Sequence, residues 1–556
     1  MAIAAGCGQE PGRFPLREPL RLDGDLRPFQ ASCRAEGARK VCAPEEYESP
    51  LVWDGADNLV FRPLSNALAV EASTEAVNAN SLDEVPDSAW FTGRLGARDF
   101  SIAELVRGAC KPEQILHPDG VADGGWTIDK GKSNGSSPGF RVNIRGQGKY
   151  MFKSDEPVFE RPSAASVIGA AAYHAVGFFT SCEQVIYFKP SLLQLKPGLH
   201  SAANFAEAKP FDRRALARVL GKLSRRGELV RMQASAWLPG RPLGPFRYEG
   251  SRDDDVNDVI PHQDRRELRG GRLLAAWLDH FDAREQNTMD TWQTATDTPD
   301  APGRIIHYYL DTSDCLGSEW AWDGISRRLG RSYVFDWGDV SSDFVTLGLR
   351  RRSWEIVQRT PGRELFGYFE YEHFVPEDWK MEYPNPAFSR MTERDGAWMA
   401  RILARFTPEM VRALAELGNF SDRANTEYLA RILDGRLQRI LARYLTRLSP
   451  IADLRVEGGK LCGVDLARRR QVRPARDYQY QARSGTGTRL ALEIGDSGAL
   501  CVTLPRSLAP STAPDDAALR YEQVRITSSA AKGALLAHLY DLGSRGFRLA
   551  GLERPE

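Results

Sequence analysis

The sequence predicts an α+β chain built around a bilobal core, a β-rich lobe followed by a helical lobe, with an N-terminal extension and a C-terminal mainly β domain. Three observations carry that expectation. From Trp126 onward short alternating segments are separated by glycine turns. Beyond Asp311 apolar residues recur at three- and four-residue spacing up to about Leu448, the period of amphipathic helices. After Pro450 glycine and threonine increase and strand-like alternation returns. A chain of 556 residues exceeds one ordinary core and divides into several units. The expected division is 1–48 as a tether, 49–125 as an extension, 126–245 as the β-rich lobe, 246–448 as the helical lobe and 449–556 as the mainly β domain.

Each element follows from local pattern. In the extension, Asp83 and Asp87 are turn formers and Pro86 forbids a helix interior, so Trp90 and Phe91 are expected to plug a turn onto the next domain. Residues 125–128 and 140–144 alternate as strands. Between them lies the small-residue loop Gly131-Lys132-Ser133-Asn134-Gly135-Ser136-Ser137-Pro138-Gly139. Gly146-Gln147-Gly148 is a tight turn into a third strand ending at Lys153. A helix over 164–176 stops at Gly177, and strands follow at 185–188 and 229–238 around a helical insertion at 213–226. Residues 264–280, 398–406 and 427–444 read as helices, and 537–540 as part of a short closing helix.

Composition narrows the function classes. Lys plus Arg (74) equals Asp plus Glu (74), so the basic excess of a nucleic-acid-wrapping protein is missing. No run approaches the roughly 18 apolar residues of a membrane span. The eight cysteines form no CxxC pair and no zinc pattern. Cys33 and Cys42 are close enough for a short disulfide loop, which would suit the envelope; buried thiols of a cytoplasmic protein are the alternative.

The segment that carries chemistry is His280-Phe281-Asp282-Ala283-Arg284-Glu285-Gln286-Asn287, with Asp311 following 24 positions after Asn287. Phosphoryl transfer needs neutralised phosphates and an oriented acceptor oxygen, and little else. Asp282 is the candidate to orient or deprotonate an acceptor hydroxyl, and Arg284 the cation for the transferring group. Asn287 and Asp311 are hard oxygen ligands suited to Mg2+. His280 is expected to hold the loop. Upstream, Lys153 is the phosphate-gripping cation. Gly131, Lys132, Ser133 and Gly135 supply a loop whose backbone N–H groups can approach phosphates. Glu160 is the nearest acid for Lys153, because the helix body behind it has none, and the strand end at Ser235 and Leu238 is the candidate adenine contact.

These types and their order resemble the protein-kinase catalytic loop, H-R-D-x-K-x-x-N, and the later metal-binding Asp, with Asp311-Thr312-Ser313 in place of D-F-G. The runs SLDEVPDSAWF, GKSNGSSPGF, LPGRPLGPF, DHFDAREQNTMD and HYYLDTSDCLGS, over roughly 78–320, resemble an uncharacterised bacterial envelope family with a kinase-like core, more distantly similar to HipA-like kinases. The resemblance implies a nucleotide partner, ATP with Mg2+, and an unidentified protein or small-molecule acceptor. The alternative is a pseudokinase scaffold. Ile3-Ala4-Ala5-Gly6-Cys7 resembles the end of a bacterial lipoprotein signal, although only six residues precede Cys7. It implies an envelope location with a lipid anchor on Cys7 as the sole membrane contact; a cytoplasmic protein is the alternative.

Overall fold

Alternation and glycine turns do set the first sheet. The computed structural model describes residues 14–37, 39–68, 74–132, 137–155, 160–202, 207–296, 298, 300–317, 322–505 and 520–556. Cys7, Ser133 and Gly135 lie outside the described residues. Strands β1 (Trp126–Gly131), β2 (Gly139–Ile144) and β3 (Gly148–Lys153) form an antiparallel meander. Helix α1 (Arg161–Val176) follows, capped by Gly177 at φ 143°. Strand β4 (Glu183–Phe188) and the short β5 (Leu193–Leu195) return to the sheet, the latter parallel to β1. Strand β6 (Leu229–Ala236) pairs antiparallel with β3 on one side and β4 on the other. Trp126, Phe140, Phe152 and Phe188 fill the face beneath, where edge-on and tilted ring contacts add to their burial.

Helix α2 (Arg266–Leu278) leads to the hairpin β7 (Thr288–Thr294) and β8 (Gly303–Tyr309), paired residue for residue from Thr288↔Tyr309 to Thr294↔Gly303. Helices α3 (Glu393–Leu403), α4 (Pro408–Leu417) and α5 (Arg423–Tyr444) pack on α1 and α2 around one apolar core. Beyond Pro450 two antiparallel sheets of four and five strands share a separate core of Leu461, Val502, Ile526 and Leu539. The molecule is thus mixed α/β. No helix among the described residues is long and apolar enough to cross a membrane.

Three expectations change. Residues 537–540 lie in the strand Leu535–Asp541, not a helix; that strand is central in its sheet and buried on both faces, so no period-two signal survives. The helix expected at 213–226 stops at Gly221, and Arg225–Arg226 turns back onto β6. The segment expected to be a tether is docked from Phe14 on. Phe14 packs on His538, Phe29 bridges to Gly303, and Cys33 and Cys42 close a hairpin by a disulfide. Further disulfides join Cys110 to Cys182 and Cys462 to Cys501, and among the described residues Cys315 is free and buried. Trp90 and Phe91 plug the extension onto the core as expected: Trp90 stacks on His307 at 3.5 Å and Phe91 meets Phe178 and Trp398.

Candidate functional site

The loop after α2 begins where Asp279 adopts a left-handed conformation, φ 55°. That turn drops the chain so that the His280 N–H reaches the Ala275 carbonyl. His280 Nδ1 lies 2.9 Å from the Tyr173 hydroxyl, and burial pushes its pKa down to about 4, so it stays neutral near pH 7 and fastens the loop to α1. Asp282 is buried. Asn287 Nδ2 donates to its carboxylate at 2.8 Å and to its backbone carbonyl at 2.7 Å. The Asn287 carbonyl in turn accepts the N–H groups of Leu310 and Asp311. The β7–β8 hairpin therefore brings Asp311 against Asn287 across 24 residues of chain.

From the sheet, the last residue of β3 completes the cluster. Lys153 Nζ donates to Asp311 Oδ2 at 2.7 Å. Burial alone would drive this ammonium neutral, but Asp311, Glu183 and Asp314 outweigh it and hold the Lys153 pKa above its ordinary value. Burial likewise opposes ionisation of Asp311, and Lys153 overrides it, so Asp311 is held well below the usual carboxylate range. Lys132, at the entry to the small-residue loop, is different. Burial and the like charge of Lys153 bring it down to about 8, with Asp311 only partly opposing. Its Nζ donates to the Ser137 carbonyl at 2.7 Å. Asp282 moves the other way: burial, Asp314 and Glu382 push its carboxyl well above the usual range against Arg284. The result is two lysines converging on one firmly ionised carboxylate, beside a second carboxyl that favours its proton.

That donor set fits a polyanion. Lys132 and Lys153 offer nitrogen donors to phosphate oxygens, and the acids around Lys153 (Asp311, Glu183 and Asp314) call for a cation beside them. A divalent cation there would have Asp311 and the amide oxygen of Asn287 as protein ligands and take the rest from phosphates and water, the habit of Mg2+. Among the described residues no group of three His, Cys, Asp or Glu side chains is arranged to hold a metal unaided.

Several expected residues land elsewhere. Arg284 is held between Asp282 (Nε, 2.8 Å) and Glu382 (Nη1, 2.6 Å), so it positions Asp282 and is not a free cation. Glu160 caps α1 at φ 70°, and its carboxylate accepts from the Ser421 N–H and the Ser224 hydroxyl rather than facing Lys153. Arg231 explains why: it is fully buried, pairs with Asp155 and donates to the carbonyls of Glu160, Gly418 and Asn419, pinning the start of α1 to the α4–α5 turn. Ser235 spends its backbone in the ladder between Met151 and Glu183, and its hydroxyl on Glu183. Only Leu238 lies past the end of that strand. Gly131 ends β1 where a Cβ would stand 2.3 Å from the His200 carbonyl, so close strand approach already requires glycine there.

Sequence reasoning missed Glu183 and Glu382 and gave Asp314 no role. Glu183 is the buried acid behind Lys153, and it also accepts from Ser181, Gln233 and Ser235. Its signal was an acid opening an otherwise apolar strand one residue after Cys182. Asp314 was visible as the second acid of Asp311-Thr312-Ser313-Asp314. Glu382, about 100 residues beyond Asp282, had no local signal. No family model, no curated protein and no solved structure matches this chain.

Proposed function

We propose that the protein is an ATP- and Mg2+-dependent phosphotransferase with a bilobal protein-kinase-like core, acting on a hydroxyl of an unidentified protein or small molecule. The observation that carries this reading is the junction of Lys153 with Asp311 at 2.7 Å, beside an Asp282–Asn287 pair fixed at 2.8 Å. One residue from a sheet and three from the loop and hairpin that follow α2 meet in the order phosphoryl transfer uses. Lys153 and Lys132 would hold phosphates, Asp311 and Asn287 would face the cation, and Asp282 would orient the acceptor hydroxyl. Bound Mg2+ supplies charge neutralisation on the phosphates. In its ionised form Asp282 fits the acceptor role, because burial raises its affinity for a proton and a carboxylate of raised affinity can take one from a hydroxyl.

The test is thermal denaturation with several nucleotides and Mg2+ or Mn2+, followed by mass spectrometry of candidate acceptors. A ligand at 100 times its dissociation constant stabilises by about 2.7 kcal/mol. Stabilisation that disappears in Asp311→Asn, with a mass gain on an acceptor, is the expected outcome. No stabilisation with any nucleotide sinks the reading.

A second reading, a nucleotide-binding or empty scaffold, rests on one observation. Helix α1 offers Lys153 no acid, so Lys153 spends itself on Asp311, the residue a metal would need. Nucleotide binding without transfer to any acceptor would favour it. The three disulfides support an oxidising compartment for either reading. Alkylation of all seven cysteines from Cys33 on in freshly isolated protein, without reductant, would overturn that placement.

A further inference from the structure

The helix Trp337–Thr346 is amphipathic in the reverse of the usual sense. Its acids Asp339 and Asp343 are tied down by Arg352, at 3.1 and 2.5 Å. Its apolar residues point away: Trp337, Val340 and Phe344 recur at i, i+3 and i+7 on an exposed face. The chain then continues outward instead of covering them. Phe344 is 83% exposed, Val345 79%, and Leu347 and Leu349 both 85%. Side chains that bare are spikes, not the half-buried walls of a groove, and they match a medium that deforms around them better than a preformed pocket.

Leu347 sharpens the point. It caps the helix in the left-handed region at φ 52°, a conformation that costs a branched side chain and that Gly or Asn would adopt freely. A leucine there brings strain while its side chain stays 85% exposed, so little burial offsets the cost. Arg350 and Arg351 follow at once and are exposed. Arg352 faces both Asp339 and Asp343 and offsets one of their two charges, so the exposed cations of this face are Arg350 and Arg351. The surface extends onto residues 51–68, whose Leu59 carbonyl accepts from Trp337 Nε1 and whose Trp53 and Phe61 rings, 5.7 Å apart, are also exposed.

We propose that this face binds an anionic lipid surface peripherally, the apolar spikes entering the headgroup boundary while Arg350 and Arg351 meet lipid phosphates. Protruding aromatic and aliphatic side chains can enter a headgroup boundary, and the two exposed arginines that follow the helix can meet lipid phosphates although the helix itself carries Asp339 and Asp343. Scattered single apolar residues would need no explanation, but a contiguous patch of this kind does. The proposal is independent of any nucleotide chemistry and of an acyl chain on Cys7.

The test uses the full chain carrying Cys7→Ser, so that no acyl chain contributes. Co-sedimentation is measured with vesicles of phosphatidylglycerol mixed with phosphatidylcholine, and with phosphatidylcholine alone. Binding to the anionic vesicles, weakened by salt, is expected, with a blue shift of tryptophan emission. The double variant Phe344→Asp/Leu349→Asp should bind at least about tenfold more weakly and melt like the parent, since both side chains are solvated. Leu347→Gly removes a spike while relieving the left-handed leucine, and should bind less while melting no lower. Arg350→Glu/Arg351→Glu should lose the preference for anionic vesicles. Absence of binding to either vesicle overturns the proposal, as do variants that bind like the parent. So does a self-association, seen by sedimentation velocity, that the aspartate pair abolishes while vesicles go unbound; that result would make the face a contact between copies.

Discussion

Two buried ionic clusters in this molecule use the same side chains to opposite effect. At one, Asp83 stands at φ 60° and receives three guanidinium groups: Arg266 at 2.5 Å, Arg401 at 2.9 Å and Arg554 at 2.5 Å. These come from α2, α3 and the chain's last residues, so one carboxylate fastens the extension, the helical core and the C-terminal sheets together. Burial opposes its charge, and three cations override it, holding Asp83 well below the usual carboxylate range. At the other cluster, Asp282 is driven above that range and Lys132 below its own. A structural hub makes charges more certain of themselves. In the second cluster Lys153 and Asp311 hold each other charged as the hub does, while Asp282 and Lys132 shift toward their neutral forms. Groups shifted toward neutrality are the ones poised to exchange protons.

The largest expected effect breaks the hub. Asp83→Ala leaves three arginines with only Asp395, 3.4 Å from Arg266, and Glu84, 4.0 Å from Arg401, and burial already brings Arg554 down to about 10 with Asp83 present. Removing one partner of a buried ionic network costs about 3–5 kcal/mol, and here the loss should loosen all three segments in one transition. Chemical denaturation should show that loss, or a product too unstable to purify. A variant within 1 kcal/mol of the parent, a loss typical of an exposed pair, would mean the hub is decoration.

Asp282→Asn attacks the other cluster and should do nearly the reverse. Asparagine keeps the shape and can still accept from Asn287; it gives up the Arg284 pair at 2.8 Å but also the cost of burying a carboxylate, and Glu382 still holds Arg284. Stability should hold within about 1 kcal/mol while transfer falls by 10²–10⁴, the usual worth of a general base. If the melting temperature drops sharply instead, Asp282 is a loop-fixing residue and the contrast between the clusters fails. Lys153→Ala comes next. It should weaken Mg-nucleotide binding by about 1–3 kcal/mol, the range for a charge-assisted hydrogen bond, as read by calorimetry. Binding that survives unchanged would leave Lys153 as a mere partner for Asp311.

How much of this the sequence disclosed depended on the range of the interaction. Elements with local periodicity were legible: β1 to β3 from alternation and α1 from its closing Gly177. So were Asp282, Asn287, Asp311 and Lys153, because a spaced motif names its own members. Glu382 and the Asp83 hub were not, since residues about 100 and 471 positions apart meet only through packing. Glu160 misled for a related reason. It stands at the front of a helix whose body has no acid, but Arg231 holds the start of α1 against Gly418 and Asn419 and turns that carboxylate toward Ser421. The docked N-terminal segment was hidden because its low periodicity reflects a chain held by a disulfide and isolated bridges, not one that is loose.

The smallest effect is the most diagnostic, because it reads the poised charge directly. Lys132 sits at about 8 in the free protein against an ordinary 10.5, the lowering coming first from burial and then from Lys153. The unfolded chain therefore holds a proton between those values that the native chain has released. Stability should rise with pH across that window and show no such contribution below it, where both states are protonated. A bound polyphosphate favours the ammonium form and pulls the proton back. At pH 8.5 about three quarters of Lys132 is neutral before binding, so nucleotide should take up a comparable fraction of a proton there. Calorimetry in two buffers of different ionisation enthalpy measures that uptake, and Lys132→Met should erase it while weakening binding only about three- to tenfold. At pH 8.5 the phosphates themselves are already ionised, so they do not contribute to the signal. If the Met variant takes up the same proton as the parent, Lys132 does not face the phosphates, and the second cluster loses the feature that most distinguishes it from the first.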